Sequence, residues 1–171
     1  MRHAARVRIL APSELQAQPW KNGGGVTHEI LRWPHGAGDD YQLRISLADD
    51  RVAAPFSLFP GYRRWSYLAA PAPIVLHVAG VPHRLAQLGD VLEVDGEVPI
   101  TCELPQGPTR LLNFLIRRGL HARPGRGPCD QPVRFVFALA ALPWLAREHS
   151  AILEPPARVE LDDRAVWLAD R

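Results

Sequence analysis

The sequence predicts an all-β protein. Its apolar residues recur at alternate positions in short runs, 17 prolines and 13 glycines break those runs apart, and no long segment shows a helical period. Many short strands over 171 residues suit a β-sandwich, one closed barrel or two smaller barrels. Periodicity alone does not choose among the three.

Taken in order, the chain first offers a capping-box pattern. Ser13 is followed three residues later by Gln16, beside Leu15 and Ala17, which predicts one short helical turn stopped by Pro19. Strands are then expected over Val26–Trp33 and Tyr41–Ala48. The second is the clearest in the chain: Tyr41, Leu43, Ile45 and Leu47 share one face, while Gln42, Arg44, Ser46 and Ala48 share the other. Arg44 and Ser46 are therefore neighbours. Ile74–Val78 reads as a further strand, and Val91–Val94 and Val98–Leu104 flank an Asp95-Gly96 pair that signals a hairpin turn. Arg110–Arg117, Val133–Leu139, Arg158–Leu161 and Val166–Leu168 complete the set.

Composition bounds the function. The chain is 47% hydrophobic and 22% charged, enough for one compact domain or two small, closely packed ones. Its formal charge of +2 includes no basic block, so neither nucleic acid nor a membrane is an expected partner. The segment Met1–Arg6 leads into an apolar stretch too short for a signal-peptide core, and nothing approaches the roughly 18 apolar residues of a membrane span. These features predict a soluble, cytoplasmic protein. Cys102 and Cys129 form neither a CxxC pair nor a Cys/His cluster, which favours two small buried thiols and leaves a disulfide open.

Three segments depart from an ordinary strand-and-turn pattern. Pro19-Trp20-Lys21-Asn22-Gly23-Gly24-Gly25-Val26-Thr27 joins an aromatic, a cation and an amide to three glycines, and Glu29 shares a face with Thr27 on the strand that follows. A phosphate loop is disfavoured there, since no G-x-x-x-x-G-K-[ST] or GxGxxG pattern and no following helix are present. The second segment, Pro55 to Trp65, leads from Phe56 and Phe59 through Pro60-Gly61 to Arg63 and Arg64. In the third, Gly107 to Arg118, Asn113 is the only polar residue between Leu111 and Ile116. A buried amide there must find hydrogen-bond partners or cost about 1–3 kcal/mol.

Together these segments resemble the HutD/Ves family of the cupin superfamily. The resemblance is carried by Pro19–Thr27 with Glu29, by Arg44 with Ser46, by Phe59-Pro60-Gly61 with Arg64, and by Gly107-Pro108 with Asn113, Arg117 and Arg118, in family order. It implies a bicupin, two small RmlC-like jelly-roll barrels in one chain, with halves of roughly 1–88 and 89–171. It also implies a pocket lined by Trp20, Lys21, Asn22, Gly23, Gly24, Thr27, Glu29, Arg44, Ser46, Arg64 and Asn113. Three departures stand out. Leu111 replaces an acidic residue usual in the family, Leu43 replaces the usual aromatic before Arg44, and the family's acidic F-x-G-D element appears as Val94-Asp95-Gly96-Glu97.

The transferred positions make a coherent chemical set. Three cations, two amides and two hydroxyls suit a small carboxylate, because charge-assisted contacts to a guanidinium exceed neutral hydrogen bonds. Glu29 is placed to hold one of the cations or to accept from a ligand amine. No H-x-H pattern occurs, and His3, His28, His35, His77, His83, His121 and His149 are scattered, so no metal centre and no cofactor are expected. Cys102, Ser46 and Ser57 lack a recognisable base, and no catalytic residue is assigned. The favoured expectation is a binding protein that modulates histidine utilisation, with urocanate, formiminoglutamate or formylglutamate as the ligands the resemblance implies. A cupin isomerase or hydrolase using Glu29 or a histidine as base, and a stress-associated protein of the Ves type, are the alternatives. A homodimer follows only by analogy with other cupins.

Overall fold

The computed structural model describes residues 5–170. His3 and most of the segment weighed as a leader lie outside that range. In chain order the strands are β1 (Arg6–Leu10), β2 (Gln16–Pro19), β3 (Gly25–Trp33), β4 (Leu43–Asp50), β5 (Tyr62–Leu68), β6 (Ile74–Val78), β7 (Val81–Leu85), β8 (Val91–Asp95), β9 (Ile100–Glu103), β10 (Thr109–Arg117), β11 (Ala122–Arg126), β12 (Val133–Ala138), β13 (Ser150–Ala157) and β14 (Ala165–Asp170), with one 3-10 turn at Pro12–Glu14. No helix among the described residues is long and apolar enough to cross a membrane.

Two compact units emerge. Gln16–Leu120 forms one, and the residues up to Leu15 join those from His121 onward to form the other. The expected halves of 1–88 and 89–171 therefore need correction. A cut at that point would part β5 from β8 and β6 from β9, and both pairs are hydrogen-bonded neighbours.

The Gln16–Leu120 unit holds a six-stranded antiparallel sheet in the order β2-β3-β4-β10-β5-β8 and a three-stranded sheet β7-β6-β9. The two are joined by an apolar layer in which Leu68, Leu92, Val94 and Leu111 of the larger sheet meet Ile74, Leu76, Leu85, Ile100 and Cys102 of the smaller. Leu111, the departure noted in the sequence, is fully buried in this layer. On the other face of the large sheet Ile45, Leu47, Leu112 and Phe114 are also fully buried. This sheet is thus buried on both faces at its centre, and its middle strands carry apolar residues at nearly every position.

The second unit is one five-stranded antiparallel sheet, β1-β13-β12-β14-β11. Its core includes Val133, Val136, Leu142, Leu145, Leu153 and Leu161.

Several local expectations change. The predicted helical turn is instead the 3-10 turn at Pro12–Glu14, where the Glu14 carboxylate accepts the Ala11 N–H at 2.6 Å, and Gln16 already belongs to β2. Asp95-Gly96 does not close a hairpin, because β8 and β9 lie in different sheets. Gly96 is tied across to the Phe59–Tyr62 turn, donating to the Tyr62 carbonyl and accepting from the Phe59 N–H. Arg158–Leu161 is not a strand; the strand of that region is β13, which precedes it. Cys102 and Cys129 are free thiols.

Phe114 lies on β10 between Ile45 and Trp65 and meets the Tyr67 ring edge-on at 5.9 Å between centroids. Phe114→Ala should cost about 3–5 kcal/mol through lost burial and the cavity left behind. Urea unfolding checks this as a lower midpoint at unchanged slope. A loss below about 1 kcal/mol would contradict the central place given to β10.

Candidate functional site

Antiparallel pairing places directly opposed residues on the same face of a sheet. Along β4, Arg44, Ser46, Ala48 and Asp50 alternate onto the inner face, and the register aligns them with β10 and β5. Ser46 faces Asn113, which faces Ser66; Arg44 faces Leu115, which faces Arg64. On the other flank, Thr27 of β3 lies opposite Ala48 and Glu29 opposite Ser46. Four strands distant in sequence therefore bring their polar residues to one area.

Where the three-stranded sheet does not cover this face, a cavity of about 510 Å³ opens. Trp20, Lys21, Asn22, Thr27, Arg44, Ser46, Arg64 and Asn113 line it, eight of the positions expected from sequence. Gly23, Gly24 and Glu29 do not. The glycines serve the shape of the loop. Gly23 takes a left-handed φ of +71°, while a Cβ on Gly25 would fall 2.3 Å from the Asp49 carbonyl and 3.0 Å from the Trp20 ring. The indole is fixed in turn by donating from Nε1 to the Thr27 hydroxyl at 2.8 Å.

Glu29 acts behind the cavity. One of its carboxylate oxygens accepts from Arg32 Nη2 at 2.6 Å and Arg44 Nε at 3.0 Å. Burial pushes this carboxyl up, but the two guanidiniums outweigh that effect and hold it below the usual range. It is thus an anchor for Arg44, held as a weaker base than an ordinary carboxylate. The amides are oriented as well. Asn22 Oδ1 accepts the Gly24 N–H at 2.9 Å, and Asn113 Oδ1 accepts from the Ser66 hydroxyl at 2.6 Å. Each amide oxygen accepts one bond from the protein, which orients the side chain and leaves its N–H groups to donate.

Arg64 is the most constrained cation. Only 7% exposed, it lies against Phe56 and Phe59 with its guanidinium carbon 5.4 and 5.0 Å from their ring centroids, and its Nε has no hydrogen-bond partner among the described residues. Burial lowers its pKa to about 10, so it remains charged at neutral pH. Arg63, its neighbour in sequence, points outward to Glu93 and Asp95.

Sequence reasoning missed Asp50. It lines the cavity at 1% exposure, and neither carboxylate oxygen has a partner among the described residues. The signal was present, because extending the alternation of Arg44, Ser46 and Ala48 by one step reaches it. Phe56 and Phe59 pack against buried apolar clusters and also form the wall beneath Arg64. The histidines lie elsewhere: His28 Nε2 is 3.1 Å from Asp49 Oδ2, and His77 Nε2 is 2.7 Å from Glu103 Oε1. Among the described residues no three His, Cys, Asp or Glu side chains converge as a metal site.

Burial raises the Asp50 pKa from 3.8 to about 7, helped by the charge of Asp49 and opposed by that of Arg64. A carboxyl whose folded value is raised binds its proton more tightly in the folded state, so stability falls as pH rises from 3.8 through about 7. The full cost of the ionised group is roughly 4 kcal/mol. Asp50→Asn should therefore raise Tm by several degrees at pH 8 and change it little at pH 4. Thermal unfolding at the two pH values checks this, and equal effects at both would contradict the buried carboxyl.

A sequence model for the family described as HutD matches residues 12–162. An uncharacterised 21.2 kDa protein in the hutC 3′ region of Pseudomonas putida is 32% identical over 111 residues, which cover 65% of this chain and 58% of that protein. HutD from Pseudomonas fluorescens SBW25 superposes with a TM-score of 0.80 at 26% identity, covering 97% of this chain and 100% of that one. A conserved protein of unknown function from Pseudomonas aeruginosa PAO1 shares the fold, with a TM-score of 0.75 at 24% identity over 95% of this chain and 96% of that one. The architecture is of the β cupin type, as the sequence resemblance implied. With the match extending from the 3-10 turn to the residues before β14, the chain belongs to the HutD family.

Proposed function

We propose that the cavity binds a small carboxylate metabolite and that, through it, the protein modulates histidine utilisation. The observation that carries this reading is Arg64: a buried guanidinium, stacked on two aromatic rings and holding an unpartnered N–H, inside a cavity of about 510 Å³. A buried donor without a partner costs stability, and a carboxylate would repair that loss with a charge-assisted hydrogen bond. Lys21, Arg44 and the N–H groups of Asn22 and Asn113 add donors around it. Family membership and the hutC neighbourhood of the Pseudomonas putida relative support the pathway. Urocanate, formiminoglutamate and formylglutamate are the first ligands to try.

An enzymatic reading is favoured by one observation. Asp50, in the same cavity, has a pKa of about 7, suited to a general base in a way that Glu29 is not. Turnover abolished by Asp50→Asn with binding retained would support it.

Thermal unfolding with each compound tests the binding reading. A ligand at 100 times its Kd should stabilise by about 2.7 kcal/mol, a shift of roughly 5–10 °C for a chain of this size. The shift should vanish in Arg64→Ala and weaken in Arg64→Lys, which keeps the charge and loses the planar fork. A shift that survives both substitutions would remove Arg64 from the binding account.

A further inference from the structure

The charged groups of the cavity are asymmetric in their hydrogen bonding, while Gln18, Ser46 and Ser57 supply groups that both donate and accept. Arg64, Lys21 and Arg44 are donors only, and Arg44 is held by Glu29 and Tyr41. Both amide oxygens accept one bond from the protein, and both amides offer N–H groups. The Thr27 hydroxyl accepts from Trp20 and retains its own proton to donate. Against this set stands Asp50, 1% exposed with both oxygens unpartnered, which when ionised can only accept.

Arg64 does not answer Asp50. The two sense each other's charge, yet no hydrogen bond or ion pair joins them, and the Nε of one and both oxygens of the other stay unsatisfied. Two buried groups of opposite charge, left apart in one cavity, are arranged for something lying between them. A simple carboxylate satisfies Arg64 and sets a second negative charge beside Asp50. A molecule that is acceptor at one end and donor at the other satisfies both.

Resting on the carboxylate-binding reading, we propose that the ligand is a small carboxylate bearing a nitrogen-bound hydrogen, with the carboxylate received by Arg64 and the N–H by Asp50. The class comprises small carboxylates that carry an ammonium, amide, amidine or azole N–H at their other end. It excludes carboxylates whose remaining polar atoms are acceptors only. Phe56, Phe59 and Leu115 line the wall with no hydrogen bonds to give, which leaves the two polar ends to set the orientation.

Isothermal titration with two matched pairs tests the assignment. Formylglutamate is compared with 2-(formyloxy)glutarate, in which an ester oxygen replaces the N–H, and urocanate with 3-(furan-2-yl)acrylate, in which furan replaces imidazole. In the wild-type protein the N–H member of at least one pair should bind about ten- to a hundredfold more tightly, as expected for a hydrogen bond to a charged acceptor. Asp50→Ala should reduce that preference to less than about threefold, and Asp50→Asn, which retains a carbonyl acceptor, should leave an intermediate value. Equal affinity within each pair in the wild type would overturn the assignment and leave the carboxylate reading standing. A preference that persists undiminished in Asp50→Ala would also overturn it. Failure of all four compounds to bind would overturn the carboxylate reading itself, and the assignment with it.

Discussion

The register of β3, β4, β10 and β5 is the constraint on which the rest depends. Because side chains alternate along a strand, a slip of one residue would turn Arg44, Ser46 and Asp50 away from the cavity and bring Ile45 and Leu47 into it. The burial of Ile45, Leu47, Leu112 and Phe114 on the opposite face holds the register against that slip. Apolar packing on one side of the sheet thus fixes polar chemistry on the other. The inner face is itself divided: Leu68 and Leu111 meet the three-stranded sheet, and Asn113 and Leu115 face the cavity.

The cost of this arrangement falls on the buried charges. Asp50 and Arg64 each lose hydration, and neither recovers it within the protein. Stacking on Phe56 and Phe59 offsets part of the loss for Arg64, whereas Asp50 has only the field of Arg64. Glu29 shows the alternative outcome. A carboxylate in the same sheet, given two guanidiniums, is quiet structural support for Arg44. The difference between Glu29 and Asp50 is one of partners, and it separates an anchor from a group poised for a ligand.

Much of the fold was legible because strand alternation survives in single sequences. The runs at Val26–Trp33, Ile74–Val78 and Arg110–Arg117 match β3, β6 and β10 to within a residue. The misses have physical causes. β1, β7 and much of β2 are exposed, so they lack the buried alternation that reveals a strand, and β13 carries Pro155 and Pro156, which mask it. Asp95-Gly96 has the chemistry of a hairpin turn, yet tertiary pairing sends β8 and β9 to different sheets. For the site, Trp20, Arg44, Arg64 and Asn113 were recoverable because they belong to the motifs that carry the family resemblance. Asp50 is reached by the alternation of Arg44, Ser46 and Ala48, but an acid at a strand end beside Asp49 and Arg51 looks like ordinary solvent-facing charge. Only the pairing of Asp50 with Gly25 and Thr109 shows that this strand end is enclosed.

The central claim is that Arg64 and Asp50 are the two ends of one binding site. A crystal structure of the protein with formylglutamate or urocanate tests it most directly. The account predicts a ligand carboxylate within hydrogen-bonding distance of the Arg64 guanidinium and a ligand nitrogen within hydrogen-bonding distance of the Asp50 carboxylate. A ligand seated in the cavity but engaging only Lys21, Arg44 and the amides, with both buried charges still unpartnered, would contradict it.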